Sequence, residues 1–204
     1  PGNNGGDGLA IARLLSQREY KVEVYLFNTQ NNLSKECYIK LERLIENGLI
    51  YFTEVTKEFN PPVLTDKHVV IDAMFGSGLN KPLNGGFAAV VKYINSSKSN
   101  VIAIDIPSGL MGEDNTYNIR QNIIKANLTL SIQLPKLSFF FPENEDIVGQ
   151  WECVDINLSK EFINHCQTPY SIIEEEDIKK LLKERKAFSN KRSFGHGLLI
   201  AGCY

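Results

Sequence analysis

The chain has no long apolar run. None of its hydrophobic stretches reaches the about 20 residues that a membrane-spanning helix needs, so no membrane partner is expected. It has no excess of basic residues either: 22 Lys and Arg stand against 24 Asp and Glu, for a formal net charge of -2. A nucleic-acid binder that relies on a broad basic face needs surplus Lys and Arg to neutralise phosphate, so no nucleic-acid partner is expected. Cysteine is sparse. Cys37, Cys153, Cys166 and Cys203 form no close pair and no Cys-x-x-Cys, and His68, His165 and His196 are the only histidines. Zinc spacing and a disulfide framework are thereby excluded. Free thiols in a reducing compartment, hence a cytoplasmic location, are the expectation. The dinucleotide fingerprint G-x-G-x-x-G is missing as well.

What remains is ordinary globular material. The chain has 204 residues, 43% hydrophobic and 23% charged, enough for one buried core and part of another. It opens on Pro1 without an initiator Met. It stops at Tyr204, just after an apolar run from Leu198 has reached a glycine. Both ends are expected to fall within structure rather than in linkers, and a fragment is the expectation.

Strand and helix alternate along it. Leu9 to Glu19 reads as a helix with Asp7 placed to cap it. Val22 to Phe27 reads as a strand. Leu33 to Glu46 reads as an amphipathic helix with Tyr38, Leu41, Leu44 and Ile45 as its apolar stripe. Leu49 to Phe52 is a short strand. Val69 to Ala73 and Val101 to Asp105 are apolar runs too short for helices, as buried parallel strands look. Gly85 and Gly86 open a helix between them. Leu128 to Ile132 and Trp151 to Ile156 complete the strands. The expected fold class is α/β: a Rossmann-like, doubly wound, mostly parallel sheet with helices on both faces. After Ser159 the composition changes. Glu174 leads into a charged helix through Lys186, and Lys191 to His196 precedes a new apolar strand.

In such a sheet, ligands bind outside the carboxyl ends of the strands. Three polar clusters fall there. Gly2 to Gly8 directly precedes a helix. Its glycines permit close backbone approach, and the helix start offers free N–H groups that suit phosphate. A purely structural turn is equally compatible. Asp7 would repel a phosphate and better suits a cap or sugar hydroxyls. Asp72 ends an apolar strand, and Gly76 to Pro82 follows as an anion-binding nest or a tight turn, with Lys81 adding charge. Asp105-Ile-Pro-Ser-Gly109 repeats the pattern of apolar strand, terminal Asp and rigid turn. Two acidic strand ends facing one crevice suit proton transfer or a cation. Ser108 reads as a turn hydroxyl rather than a nucleophile, since no histidine lies in a triad context.

The joint order is more specific than any one cluster. Pro1-Gly-Asn-Asn-Gly-Gly-Asp-Gly8, Asp72-Ala-Met-Phe-Gly-Ser-Gly78, Ile104-Asp-Ile-Pro-Ser-Gly109 and Leu134-Pro-Lys136 resemble the YjeF N-terminal domain family of NAD(P)H-hydrate epimerases. The resemblance covers residues 1–158. Residues 159–193 read as a linker with a charged helix. Residues 194–204, around Phe194-Gly-His-Gly-Leu-Leu-Ile-Ala-Gly202, resemble the start of a ribokinase-like, ADP-dependent NAD(P)H-hydrate dehydratase domain. The resemblance implies interconversion of the R and S epimers of hydrated NADH and NADPH. The full-length chain would also dehydrate the S epimer using ADP. It implies substrate binding by Asn3, Asn4, Gly5, Gly6 and Asp7, by Gly76, Ser77, Gly78, Leu79, Asn80, Lys81 and Pro82, and by Asp105. It implies a potassium ion held by Asn4, Asp72 and Ser108, a set of oxygen donors that suits a hard cation. Asp105 is the expected catalytic acid/base, with Lys81 as an electrostatic helper. Hydrated NAD(P)H and further copies of the chain are the expected partners. Two rivals stand beside this reading. One is a non-catalytic nucleotide- or RNA-binding scaffold of the same fold. The other is an ordinary NAD(P)-dependent dehydrogenase, weakened by the missing fingerprint and by Phe27-Asn28, where an acidic ribose reader would be expected.

Overall fold

A computed structural model describes residues 1–202 apart from 47, 49, 183 and 191. The expected strand start at Leu49, the motif start at Lys191 and the cysteine at 203 therefore lie outside the described residues. Two compact units divide the chain, Pro1–Leu158 and Ser159–Tyr204.

The first unit runs α1 (Asn3–Ser16), β1 (Glu23–Phe27), α2 (Lys35–Glu46), β2 (Tyr51–Val55), β3 (Val69–Asp72), α3 (Gly85–Ser96), β4 (Asn100–Ile104), β5 (Leu128–Ile132), α4 (Glu145–Val148) and β6 (Gln150–Val154). Every strand pair is parallel. The α/β class with parallel strands is thus as expected. The sheet is in two parts, β1-β2 and β3-β4-β5-β6, with no hydrogen-bonded ladder between β1 and β3 among the described residues.

Three apolar clusters hold these parts. Leu9 and Ala12 of α1, Leu26 of β1, and Cys37, Leu41 and Leu44 of α2 form the first. The expected stripe on α2 is corrected here. Cys37, Leu41 and Leu44 are buried, while Tyr38 and Ile45 are exposed. The helix is phased by Cys37 lying under the start of α1, where a side chain on Gly6 would meet the Cys37 backbone at 3.3 Å. Each fully buried aliphatic side chain is worth about 1.5–3 kcal/mol, so the face that holds Leu41 and Leu44 sets the rotation. The second cluster joins Val91 of α3 to Leu83, Val101 and Ile124. The third joins Ile106, Leu110, Ile123, Phe139, Ile147 and Val148. β4 lies between β3 and β5 and reads Asn-Val-Ile-Ala-Ile, apolar on both faces as an inner parallel strand must be.

The second unit holds α5 (Lys160–His165) and α6 (Glu175–Leu181). The expected charged helix through Lys186 is shorter than its pattern, ending at Leu181. A capping box between Glu174 and Asp177 starts it as the acidic run suggests. Among the described residues of this unit there is no strand, and Leu198, Leu199 and Ile200 are exposed. A lone apolar segment with no neighbouring strand cannot satisfy its backbone as a sheet. No helix among the described residues is long and apolar enough to cross a membrane.

Candidate active site

Parallel strands deliver their carboxyl ends to one edge, and the polar residues gather there. Asp72 is the last residue of β3. Asp105 follows the last residue of β4, and Lys136 lies four residues past the end of β5. The start of α1 reaches the same edge, where Asn4 Nδ2 donates to the Ile104 carbonyl at 3.3 Å.

Asp105 is the centre of the arrangement. It takes a left-handed backbone, φ 68°, which Asp tolerates better than most residues. Its N–H still donates to the Leu130 carbonyl at 2.7 Å. Oδ1 lies 2.7 Å from Lys136 Nζ, and Oδ2 accepts the Ser77 N–H at 3.0 Å. Lys136 is held in turn by Ser131 Oγ and the Ile132 and Leu134 carbonyls. Burial raises the Asp105 pKa. The Lys136 ammonium and the Ser77 N–H outweigh it, so the carboxyl sits below its ordinary range and is ionised at neutral pH. Asn4 lies against the same loop: a Cβ on Gly76 would sit 3.1 Å from Asn4 Cβ and 3.3 Å from Asp105 Oδ2.

Asp72 and Ser108 form a second pair. Ser108 Oγ donates to Asp72 Oδ1 at 2.6 Å, and the Ser108 N–H donates to Oδ2 at 2.7 Å. Ser108 Oγ also accepts the Phe75 N–H at 3.0 Å. Asp72 is 2% exposed. Burial pushes its carboxyl above the ordinary range, and the bonds from Ser108 and Met74 only partly offset that. A buried carboxylate so placed calls for a cation or a proton. Asn4 Oδ1 is buried without a hydrogen-bond partner. Asp72 is in register with Ala103, one residue before the carbonyl that Asn4 contacts. The donors are all oxygen, and one of them is orphaned, so the residues fit a hard cation.

The glycine-rich stretch differs from the expected loop. α1 begins at Asn3, so Asn3 to Gly8 are its first turns and not a lead-in. The first helical bond runs from the Gly6 N–H to the Gly2 carbonyl, which leaves the N–H groups of Asn3, Asn4 and Gly5 without intrahelical acceptors. Gly8 has a packing reason: a Cβ there would lie 2.7 Å from Ala73 Cβ. Asp7 does not cap the helix. It sits within it and pairs with Lys40 of α2 at 2.6 Å. That pair is partly exposed, so Asp7→Ala is expected to lower stability by only about 0.2–1 kcal/mol in urea unfolding.

The structure therefore brings together Asn4, Gly76, Ser77 and Asp105, and beside them Asp72 and Ser108. Asn3 turns to Ser34, whose Oγ donates to Asn3 Oδ1 at 3.4 Å. In the Gly76–Pro82 loop, Ser77, Gly78, Asn80 and Lys81 are exposed, whereas Leu79 packs into the α3 cluster. The lysine on Asp105 is Lys136, where Lys81 had been expected to help. The signal for it was Leu134-Pro-Lys136 after an apolar strand, but a lysine's partner on the far side of β5 in the sequence cannot be read from spacing.

An α/β protein whose polar centre lies at the carboxyl edge of a parallel sheet, with an ionised Asp beside a glycine-rich helix start, is of the nucleotide-site class. The chain belongs to the YjeF-related protein N-terminus family, whose model matches residues 1–138. It is 32% identical over 157 residues to the NAD(P)H-hydrate epimerase of Oenococcus oeni, covering 77% of this chain and 71% of that protein. It is 32% identical over 212 residues to the bifunctional NAD(P)H-hydrate repair enzyme Nnr of Thermofilum pendens, covering 99% of this chain and 38% of that protein. The chain thus spans under half the length of the bifunctional relatives it matches. Among solved structures it superposes on yeast ynu0 with a TM-score of 0.60 at 22% identity, covering 87% of this chain and 72% of that one. That likeness supports the fold.

Proposed function

We propose that the chain interconverts the R and S epimers of hydrated NADH and NADPH. The observation that carries this is the ionised Asp105, fixed by Lys136 and the Ser77 N–H at the edge where Asn4 and Gly76 meet. The names of the relatives give the substrate class. In the substrate, one ring carbon carries both a hydroxyl and the ring nitrogen. Asp105 takes the hydroxyl proton, the carbon–nitrogen bond breaks, and a carbonyl forms. The same proton passes to the released nitrogen. Rotation presents the other carbonyl face, and the reverse steps close the ring with inverted configuration. A carboxylate held below its ordinary pKa is deprotonated at neutral pH and open to accept the proton, as a weaker base than one tuned near neutrality. Asn3 to Asp7 and Gly76 to Pro82 would hold the nucleotide, their backbone N–H groups facing its phosphates. Potassium would be held by Asn4, Asp72 and Ser108. When bound, it supplies positive charge beside Asp72 and fixes the Asn4 end of the site.

The bifunctional match extends past residue 158, beyond the reach of the epimerase match. That supports reading residues 194–204 as the start of a dehydratase domain.

The test is chromatographic separation of R and S hydrates, incubated with and without the protein. Equilibration no faster than the spontaneous reaction sinks the proposal. Potassium is expected to raise the thermal midpoint by several degrees through binding to the folded state. Sodium is expected to do less, and Asn4→Ala to remove the effect. An equal midpoint in both salts would remove the cation from the site.

A further inference from the structure

A polar pair lies at the carboxyl edge of the smaller sheet, apart from the Asp105 centre. Asn28 is the first residue after β1 and is 3% exposed. Its Nδ2 donates to Glu54 Oε1 at 2.7 Å, and its Oδ1 accepts the Asn32 N–H at 3.0 Å. Both ends of the buried amide are engaged, so its orientation is set. Its one side-chain contact to another strand holds the Glu54 carboxylate. Glu54 is exposed and lies one residue before the end of β2, in register with Leu26. A carboxylate accepts about four hydrogen bonds, so Asn28 leaves capacity for a ligand.

The position is informative. In parallel folds that bind dinucleotides, the strand after the glycine-rich helix ends in an acidic residue that accepts the ribose 2′-hydroxyl. A 2′-phosphate there is matched by a nearby Arg. In this chain the order is Gly2 to Gly8, α1, then β1, and the amide of Asn28 directly follows β1. The neighbouring strand supplies the carboxylate, and the amide holds it. The loop from Asn28 to Ser34 contains no Lys or Arg; the first basic residue, Lys35, already opens α2. The same loop returns to the glycine-rich helix start, where the Ser34 N–H donates to the Pro1 carbonyl at 2.9 Å.

We propose that Glu54, held by Asn28, binds the adenosine ribose hydroxyls and so selects hydrated NADH over hydrated NADPH. This rests on the reading that the substrate is an NAD(P)H hydrate. A 2′-phosphate would bring a charge of about -1.5 to -2 against the carboxylate. Replacement of Glu54 removes the repulsion without opening a core, because the side chain is exposed.

Calorimetric titration with ADP-ribose and 2′-phospho-ADP-ribose tests it. ADP-ribose is expected to bind about tenfold tighter or better. Glu54→Gln should narrow that ratio, mainly by improving the phosphorylated ligand, and Glu54→Lys should invert it. Equal binding of both ligands, an unchanged ratio in Glu54→Gln, or no binding of either overturns the inference. The same proteins are assayed for R/S interconversion. A ribose preference without interconversion supports Glu54 and removes the epimerase reading. Interconversion of both hydrates at equal kcat/KM removes Glu54 and leaves the epimerase reading.

Discussion

Asp105→Asn is expected to slow the catalysed R/S interconversion by about 10²–10⁴-fold, the usual worth of a positioned proton-transfer group. The amide still accepts the Ser77 N–H, so the loop after β3 keeps its anchor. Lys136 keeps Ser131 Oγ and two carbonyls. What disappears is the group that takes the hydroxyl proton. The variant should remain folded, with circular dichroism like that of the parent. The spontaneous rate must be subtracted from both. A folded variant that retains the parent's rate would take Asp105 out of the chemistry. Lys136 acts through Asp105, so its replacement by Met should raise the pH at which activity appears, since the depressed carboxyl pKa depends on that ammonium.

Gly109→Ala is expected to cost about 2–4 kcal/mol and to lower the thermal midpoint by about 5–15 °C. The residue has φ 101°, a conformation that L side chains rarely adopt. Its Cβ would lie 2.5 Å from the Asn122 carbonyl oxygen and 2.9 Å from Ile123 Cα. Both are backbone atoms and cannot swing aside. Asn122 is itself pinned, its Nδ2 donating to the Leu83 carbonyl at 2.7 Å. The Ile124 N–H donates to the Ser108 carbonyl at 2.9 Å, so the strain falls on the turn that carries Ser108. Gly112, with nothing near its Cβ position, is the control: Gly112→Ala should stay within about 0.5 kcal/mol. Equal midpoints for the two variants would refute the steric argument.

Short-range patterns were legible in the amino-acid sequence. β5 spans Leu128–Ile132 as its apolar run indicates, and α3 opens at Gly85 as expected. The strand-end acids were legible too, because an Asp closing an apolar run has few other uses. The start of α1 was hidden, since Asn and Gly are poor helix formers and packing against α2 and Ala73 overrides them. The phase of α2 was hidden for the same kind of reason. Lys136 on Asp105 and Glu54 on Asn28 were hidden because each pair joins the carboxyl-end regions of two different strands. Which strands lie side by side decides such pairs, and the periodicity of one strand does not name its neighbour.

The sheet of β3, β4 and β5 is parallel throughout, so no hairpin can bring the polar residues together. Asp72 and Ser108 are 36 residues apart along the chain, and Ser77 and Asp105 are 28. Each meeting requires a long loop to close before any contact rewards it. The centre is therefore expected to form late in folding, with the proton-handling carboxylate gaining its partners once the strands have docked; φ-values near zero for Ser77 and Ser108 variants are the expected result.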